Sequence, residues 1–74
     1  MLRVTLLQGR QQLFVGTARQ VILPAQAGEV SVLDCHAPML CALVAGDVQI
    51  DEAYFPVRRG VAGVARNVVT ILAH

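Results

Sequence analysis

The stretch from Gly28 to Leu43, GEVSVLDCHAPMLCAL, constrains the fold of this chain more than any other. Val30 and Val32 alternate with polar neighbours, which is the period-two pattern of a half-buried β-strand. Because a strand with one apolar face must pair and pack against other strands, this pattern favours a β fold for the surrounding chain.

A corner at Asp34-Cys35-His36-Ala37-Pro38 follows that strand. Pro38 lacks a backbone N–H and restricts Ala37 to an extended conformation, so a regular ladder is interrupted there. The sequence predicts an ordered corner that positions His36, whose chemistry would need partners from elsewhere in the chain.

Short alternating or apolar runs, separated by turn residues, make up the rest of the chain. Pro56 inside one run indicates an edge strand or a bulge. Arg66-Asn67 predicts a two-residue hairpin turn, because asparagine tolerates positive φ. The predicted strands are residues 2–7, 12–15, 17–23, 29–33, 39–45, 48–50, 54–58, 61–65 and 68–72. We therefore expect one all-β domain over residues 1–74, a small sandwich or barrel of about nine short strands.

Composition excludes several classes of function. The formal net charge is only +1 and aromatic residues are 4 % of the chain, so neither a basic surface nor a base-stacking platform for nucleic acid is predicted. No run approaches the roughly 18 consecutive apolar residues of a membrane span. Two cysteines and no signal-peptide pattern indicate a cytosolic protein with reduced thiols.

A Cys/His site is the main chemical alternative, and it would use Cys35, His36 and Cys41. Adjacent residues on an extended chain point to opposite sides, so Cys35 and His36 are poorly placed as nucleophile and base. The three residues also lack the paired spacing of zinc sites. We expect His36 to be a turn histidine hydrogen-bonded to local backbone, and we predict no catalytic residue, cofactor or metal.

Apolar residues around the corner favour binding by surface instead. Met39, Leu40, Leu43 and Val44 lie close together in sequence, and an exposed apolar patch of this kind marks a protein interface. Some of the four must fill the core, and the sequence leaves open which of them are exposed.

The order of residues around the corner resembles the amino-terminal domain of the epsilon subunit of F-type rotary ATP synthases. That family has Gly-Glu-x-Gly-(Val/Ile)-Leu, then Pro-Gly-His-Ala-Pro-Leu-Leu, then Ala-Leu and a later Gly. The residues that keep this order are Pro24, Gly28, Glu29, Val32, Leu33, His36, Ala37, Pro38, Leu40, Ala42, Leu43 and Gly46. Outside this stretch, the matching residues are Gln12-Leu13-Phe14, Gly16, Phe55, Val57, Gly60 and Val68-Val69-Thr70-Ile71-Leu72-Ala73.

Several glycines of the family pattern are replaced, which indicates altered loop geometry or a divergent branch of the family. Ala25 and Ser31 stand where the family has glycine, and Asp34-Cys35 replaces Pro-Gly before the histidine. Arg59-Gly60-Val61 replaces Gly-Gly-Phe. The chain also stops at His74, where the family continues into a helical hairpin, so the nucleotide-binding and inhibitory functions of that hairpin are not expected of these residues.

The resemblance implies a ten-stranded β-sandwich that is a non-catalytic part of the central stalk of a rotary ATP synthase. It would bind the gamma subunit along one side and the polar loops of the membrane c-ring at one end, coupling ion translocation to ATP synthesis or hydrolysis. It would be cytoplasmic and peripheral to the inner (plasma) membrane. By matched position, the ring contact would be Ala27, Gly28 and Glu29, and the gamma contact Gln8, His36, Pro38 and Met39.

This hypothesis predicts which residues are exposed and which are buried. Glu29 and the His36 corner should be exposed, and Val30, Val32 and Leu72 should be buried. The first alternative is a free-standing β-sandwich adaptor that binds another protein. The second, which we favour less, is the small Cys/His metal-binding protein or thiol enzyme.

Overall fold

Nine β-strands make up the regular structure of the chain, and there is no helix. The computed structural model describes all residues from 1 to 74. The strands are β1 (Leu2–Gln8), β2 (Gln11–Ala18), β3 (Val21–Ala25), β4 (Gly28–Val32), β5 (Met39–Leu43), β6 (Gly46–Ile50), β7 (Ala53–Val57), β8 (Gly60–Ala65) and β9 (Val68–Ala73). The all-β prediction is confirmed, with nine strands where the resemblance implies ten.

The strands form two sheets that pack as a sandwich. The first sheet has the order β2-β1-β9-β8-β5, and the second has the order β4-β3-β6-β7. β1 and β9 run parallel, whereas the other neighbours are antiparallel. One residue pair, Ala25 with Leu43, joins the two sheets. On the opposite flank the rings of Phe14 and Phe55 meet edge to face, with their centroids 6.0 Å apart.

The core lies between the sheets and is entirely apolar. Seventeen residues are buried, and none of them is polar or charged. Each strand contributes alternate residues because successive side chains point to opposite faces of a sheet. The largest fully buried side chains are Leu2, Val4, Leu6, Val21, Leu23, Val32, Val48, Val69 and Ile71.

The predicted burial pattern is correct for one residue and wrong for another. Val32 is fully buried and Val30 is half-buried. Leu72, which we expected in the core, is 51 % exposed. The inward side chains of β9 are Val69, Ile71 and Ala73, and the two-residue period therefore turns Leu72 to the outer face.

Several predicted strand ends are also wrong, each for a local reason. β2 continues through Gly16, where a Cβ would make ordinary van der Waals contact with the ring of Phe14 at 3.4 Å, so this glycine lies within the strand and not in a turn. Pro24 lies inside β3 opposite Glu29, and Gly46 begins β6. Gly16 and Pro24 therefore do not mark strand ends, and Gly46, predicted to lie between two strands, is the first residue of β6.

Two local predictions are confirmed, one about an edge strand and one about a hairpin turn. Pro56 lies on β7, the edge strand of the second sheet, which pairs only with β6. Arg66 and Asn67 have φ values of 52° and 61°, as a two-residue type I′ hairpin requires. The turn between β8 and β9 is therefore the one that the sequence predicts.

Candidate functional site

The turns of the sandwich collect at two opposite ends. A row of neighbouring residues crosses one end in the order Gly28, Ala25, Leu43, Gly60, Ala73 and Gln8. We call this the Glu29 end; its connections are residues 9–10, 26–27, 44–45 and 58–59. The connections 19–20, 33–38, 51–52 and 66–67 form the opposite, His36 end.

The predicted ring contact lies at the Glu29 end. Ala27, Gly28 and Glu29 are all exposed, at and just after the turn between β3 and β4. Gly28 has a φ of +124°, which an L-residue rarely adopts, so a glycine is required at this position. Glu29 forms no ion pair within the chain, and its carboxylate is therefore available to a partner.

The corner that carries His36 is fixed from three sides. The N–H of Cys35, whose φ is 63°, donates to Oδ1 of Asn67 at 2.8 Å. The amino group of Met1 lies 3.1 Å from Oδ1 of Asp34. The N–H of His36 donates to the carbonyl of Leu33 at 3.1 Å. These contacts hold the corner against the first strand and the β8–β9 turn.

His36 itself is tied to local backbone. Its Nδ1 lies 2.7 Å from the carbonyl oxygen of Ala37, which can only accept, so Nδ1 carries the proton and donates. The prediction of a turn histidine bonded to local backbone is confirmed. The side chain is half-buried, so the expected exposure of this corner is met by its flanking residues Cys35 and Ala37 more than by the imidazole.

The Cys/His alternative finds no site in the structure. Cys35 is exposed at the corner, while Cys41 is a half-buried residue on β5 that packs against the core. Burial raises the pKa of the Cys41 thiol above its ordinary value, which lowers its thiolate fraction and therefore its reactivity. No group of three His, Cys, Asp or Glu side chains comes together in the chain.

The four predicted gamma-contact residues do not form one cluster. Pro38 is exposed and Met39 half-buried beside the His36 corner, whereas Gln8 lies at the Glu29 end. The strand β1 separates the two groups, and seven residues of strand span about 20 Å. A single partner that contacts all four must therefore extend along the first sheet.

The outer face of the first sheet is the surface that the sequence prediction underestimated. Leu40 is 81 % exposed, and Val61 and Leu72 are each 51 % exposed. One row across the strands runs Ala42, Val61, Leu72 and Leu7, and the next runs Leu40, Gly63, Thr70, Thr5 and Val15. We call these two rows, with Val68, the apolar face. Arg3 pairs with Val68 at one side of it, and Arg59 lies beside Val61 and Leu72 at the other.

A sequence signal for this face does exist. VVTILA in β9 and GVAGVA in β8 are apolar at nearly every position, where a strand with one solvated face would alternate with polar residues. Of the corner residues singled out from sequence, Leu40 and Val44 are exposed, Met39 is half-buried, and Leu43 fills the core. The chain has no helix of the length and apolarity that crossing a bilayer requires.

Comparison with known proteins supports one family. A family model described as ATP synthase, Delta/Epsilon chain, beta-sandwich domain matches residues 1–74. The chain is 31 % identical over 77 residues to the ATP synthase epsilon chain of Nitrosococcus oceani and 35 % identical over 78 residues to that of Halorhodospira halophila. Each of these alignments covers 97 % of this chain and 55 % of the relative, so the chain spans about half the length of the curated relatives it matches.

Solved structures agree on the fold. A chain of the Euglena gracilis mitochondrial ATP synthase (OSCP/F1/c-ring, rotational state 1) superposes with a TM-score of 0.85 at 20 % identity, over 97 % of this chain and 49 % of that one. A chain of the Tetrahymena thermophila mitochondrial ATP synthase (central stalk/c-ring) gives 0.76 at 15 % identity, over 97 % and 62 %. Since the family model matches the chain from end to end, the protein belongs to the ATP synthase delta/epsilon-chain β-sandwich family.

Proposed function

We propose that this chain acts as a non-catalytic central-stalk (epsilon) subunit of an F-type ATP synthase. It would bind the gamma subunit and the membrane c-ring, and so couple ion translocation to ATP synthesis or hydrolysis. The observation that carries the proposal is the match of the whole chain to the epsilon-chain sandwich. Two separate surfaces, a polar end and an apolar face, suit a subunit that joins two partners.

The ring contact would be made by Ala27, Gly28 and Glu29. These residues lie on an exposed turn, and the carboxylate of Glu29 has no partner in the chain. A free carboxylate at the tip of a fixed turn can accept charge-assisted hydrogen bonds from the polar loops of a ring. The required φ at Gly28 sets the direction in which Glu29 leaves the turn.

The gamma contact would combine the His36 corner with the apolar face. The corner with His36 and Pro38 is followed at once by β5, which starts at Met39. The next residue, Leu40, belongs to the apolar face. Gln8 would be contacted at the far end of the same sheet. Contiguous exposed apolar surface marks a protein interface, and gamma is the partner that such an extended surface would fit in the stalk.

The assembly sets the location. A chain of this kind would lie on the cytoplasmic side, peripheral to the inner (plasma) membrane and held there through the complex.

Co-purification tests the proposal. A tagged chain isolated from its own cells should recover gamma and c subunits, and Glu29→Ala should lower recovery of c while leaving gamma unchanged. Glu52→Ala is the matched control, because Glu52 is an exposed glutamate at the opposite end. Leu40→Gln should do the reverse and lower recovery of gamma.

Either failure has a distinct meaning. Recovery of other proteins without any ATP synthase subunit would replace the stalk proposal with the adaptor alternative. Equal recovery of c by Glu29→Ala, Glu52→Ala and the unchanged chain would show that the Glu29 turn does not contact the ring.

A further inference from the structure

Three arginines of the Glu29 end remain without a role in the contacts described above. Arg10 lies in the turn between β1 and β2, and Arg58 and Arg59 form the connection between β7 and β8. All three are exposed. The one ion pair of the structure joins Met1 to Asp34, so none of these arginines is neutralised within the chain.

The backbone brings the three arginines to one place, the end of β9. The N–H of Gly9, beside Arg10, donates to the carbonyl of Ala73 at 3.3 Å. The next residue, His74, donates its N–H to the carbonyl of Arg59 at 2.9 Å and accepts from the N–H of Arg58 at 3.1 Å. Both arginine-bearing connections are therefore anchored to consecutive residues of the same strand end.

The double-arginine connection is held on its other side as well. Gly60 approaches β9 so closely that a Cβ there would lie 2.3 Å from the carbonyl oxygen of Leu72. The residue that follows Arg59 is therefore packed tightly against the backbone of β9. Guanidinium groups presented from a fixed backbone lose less freedom on binding than those of a mobile loop.

Guanidinium groups recognise carboxylates and phosphates by the same forked geometry. The composition of this end decides between the two. Glu29 and Asp47 lie at the same end, each exposed and without an ion pair. A uniformly anionic lipid surface would repel both carboxylates, whereas a protein surface of mixed charge can pair with both signs.

We propose that Arg10, Arg58 and Arg59 form a second contact with the c-ring, pairing with carboxylates on its polar loops beside the contact of the Glu29 turn. This inference rests on the proposed stalk function. In it, these arginines bind the acidic groups of the ring surface. Glu29 would meet the donors of the ring loops, and the arginine cluster would meet their acceptors. The two contacts together would fix the angle at which the sandwich stands on the ring.

Binding of the chain to purified, detergent-solubilised c-ring tests the inference. The double variant Arg58→Gln/Arg59→Gln should bind about threefold to tenfold more weakly than the unchanged chain, since two exposed ion pairs would be lost. Raising the salt from about 50 mM to about 300 mM should weaken the unchanged chain more than the variant, because salt screens exposed charges. Arg19→Gln/Arg66→Gln is the matched control, removing the same charge from the His36 end.

The outcomes separate this inference from the function on which it rests. Unchanged ring binding by Arg58→Gln/Arg59→Gln, together with weaker binding by Glu29→Ala, overturns the arginine contact and leaves the stalk function standing. Absence of ring binding by the unchanged chain overturns the function itself. Binding to ring-free anionic vesicles that is lost in Arg58→Gln/Arg59→Gln identifies lipid phosphate as the ligand and overturns the ring carboxylates.

Discussion

Asp51 connects two turns of the His36 end that are far apart in sequence. Its Oδ1 accepts from the N–H groups of Arg19 at 2.9 Å and Gln20 at 3.1 Å. Its own N–H donates to the carbonyl of Gln20 at 3.0 Å. One side chain therefore joins the turn between β2 and β3 to the turn between β6 and β7.

Replacing Asp51 should expose two separate contributions to stability. Asp51 has a φ of 51°, so Asp51→Ala loses the hydrogen bonds and also strains the backbone, at a cost of about 2–3 kcal/mol. Asp51→Gly tolerates this φ and should cost only about 1 kcal/mol. Urea unfolding measures both values, and the neighbouring Glu52→Ala should change stability by less than about 0.5 kcal/mol. Equal losses in Asp51→Ala and Asp51→Gly would show that backbone strain contributes nothing.

Prediction at this scale depends on how far apart the partners lie in sequence. The local bond of His36 to Ala37 follows from the turn chemistry of neighbouring residues and is predicted from sequence. The contact of Cys35 with Asn67 and that of Asp51 with Arg19 each span 32 residues. Such contacts exist only once the sandwich has brought separate turns together, so no local sequence pattern predicts them.

Among the elements, β8 shows how one sheet uses glycine in two different ways. Gly60 lies against the backbone of β9, whereas the Cβ position of Gly63 meets only Cδ2 of Leu40, at 3.2 Å. A backbone carbonyl cannot move without disturbing the ladder, but an exposed leucine side chain can rotate away. The same residue type is therefore indispensable at one position and replaceable at the other.

Alanine at the two glycines should give opposite results. Gly60→Ala should destabilise the chain by about 2 kcal/mol or more, because the added Cβ forces β8 away from β9. Gly63→Ala should leave stability unchanged or raise it by about 0.5 kcal/mol, since alanine loses less conformational freedom in a strand than glycine does. Chemical unfolding of the two variants measures this contrast. Equal destabilisation would mean that the contact at Gly60 is relieved without cost.

The strands themselves were predicted in number and approximate position, and their ends were not. Period-two alternation identifies Leu2, Val4 and Leu6 as one buried face without any knowledge of the partner strands. The end of a strand depends on where pairing stops, which is why β2 passes through Gly16 and β3 includes Pro24. The sequence predicts Leu72 in the core and the structure exposes it, because both faces of β9 are largely apolar and the pattern does not show which of them is covered.

At the scale of the whole molecule, the two outer faces differ in character. The first sheet presents the apolar face, while the second presents Glu29, Ser31, Gln49 and Tyr54 along its strands. The site residues of the Glu29 turn were predicted only through the resemblance to a family, and their roles remain predictions. The full extent of the apolar face needed the structure, since it arises where five neighbouring strands turn apolar residues outward.

An uncovered apolar face should make the isolated chain associate with itself. Leu40→Gln should reduce concentration-dependent association in sedimentation velocity, and it should change the free energy of unfolding by less than about 0.5 kcal/mol because Leu40 is 81 % exposed. Tyr54→Gln is the matched control, since Tyr54 is 61 % exposed on the other sheet. Association that falls equally in both variants would show that the apolar face is not the surface responsible.

The parallel pairing of β1 with β9 gives the sandwich a mechanical direction. Six consecutive residue pairs, Arg3 with Val68 through Gln8 with Ala73, connect the two strands between one end and the other. A force that slides one strand along the other must break the hydrogen bonds of this ladder together. At the seam, by contrast, the backbones of the two sheets meet only through the pair of Ala25 with Leu43 and the hydrogen bond from the N–H of Val44 to the carbonyl of Pro24, at 2.8 Å. The domain should therefore be stiff along its strands and compliant across that seam, so a load carried from end to end would be transmitted with little stretching.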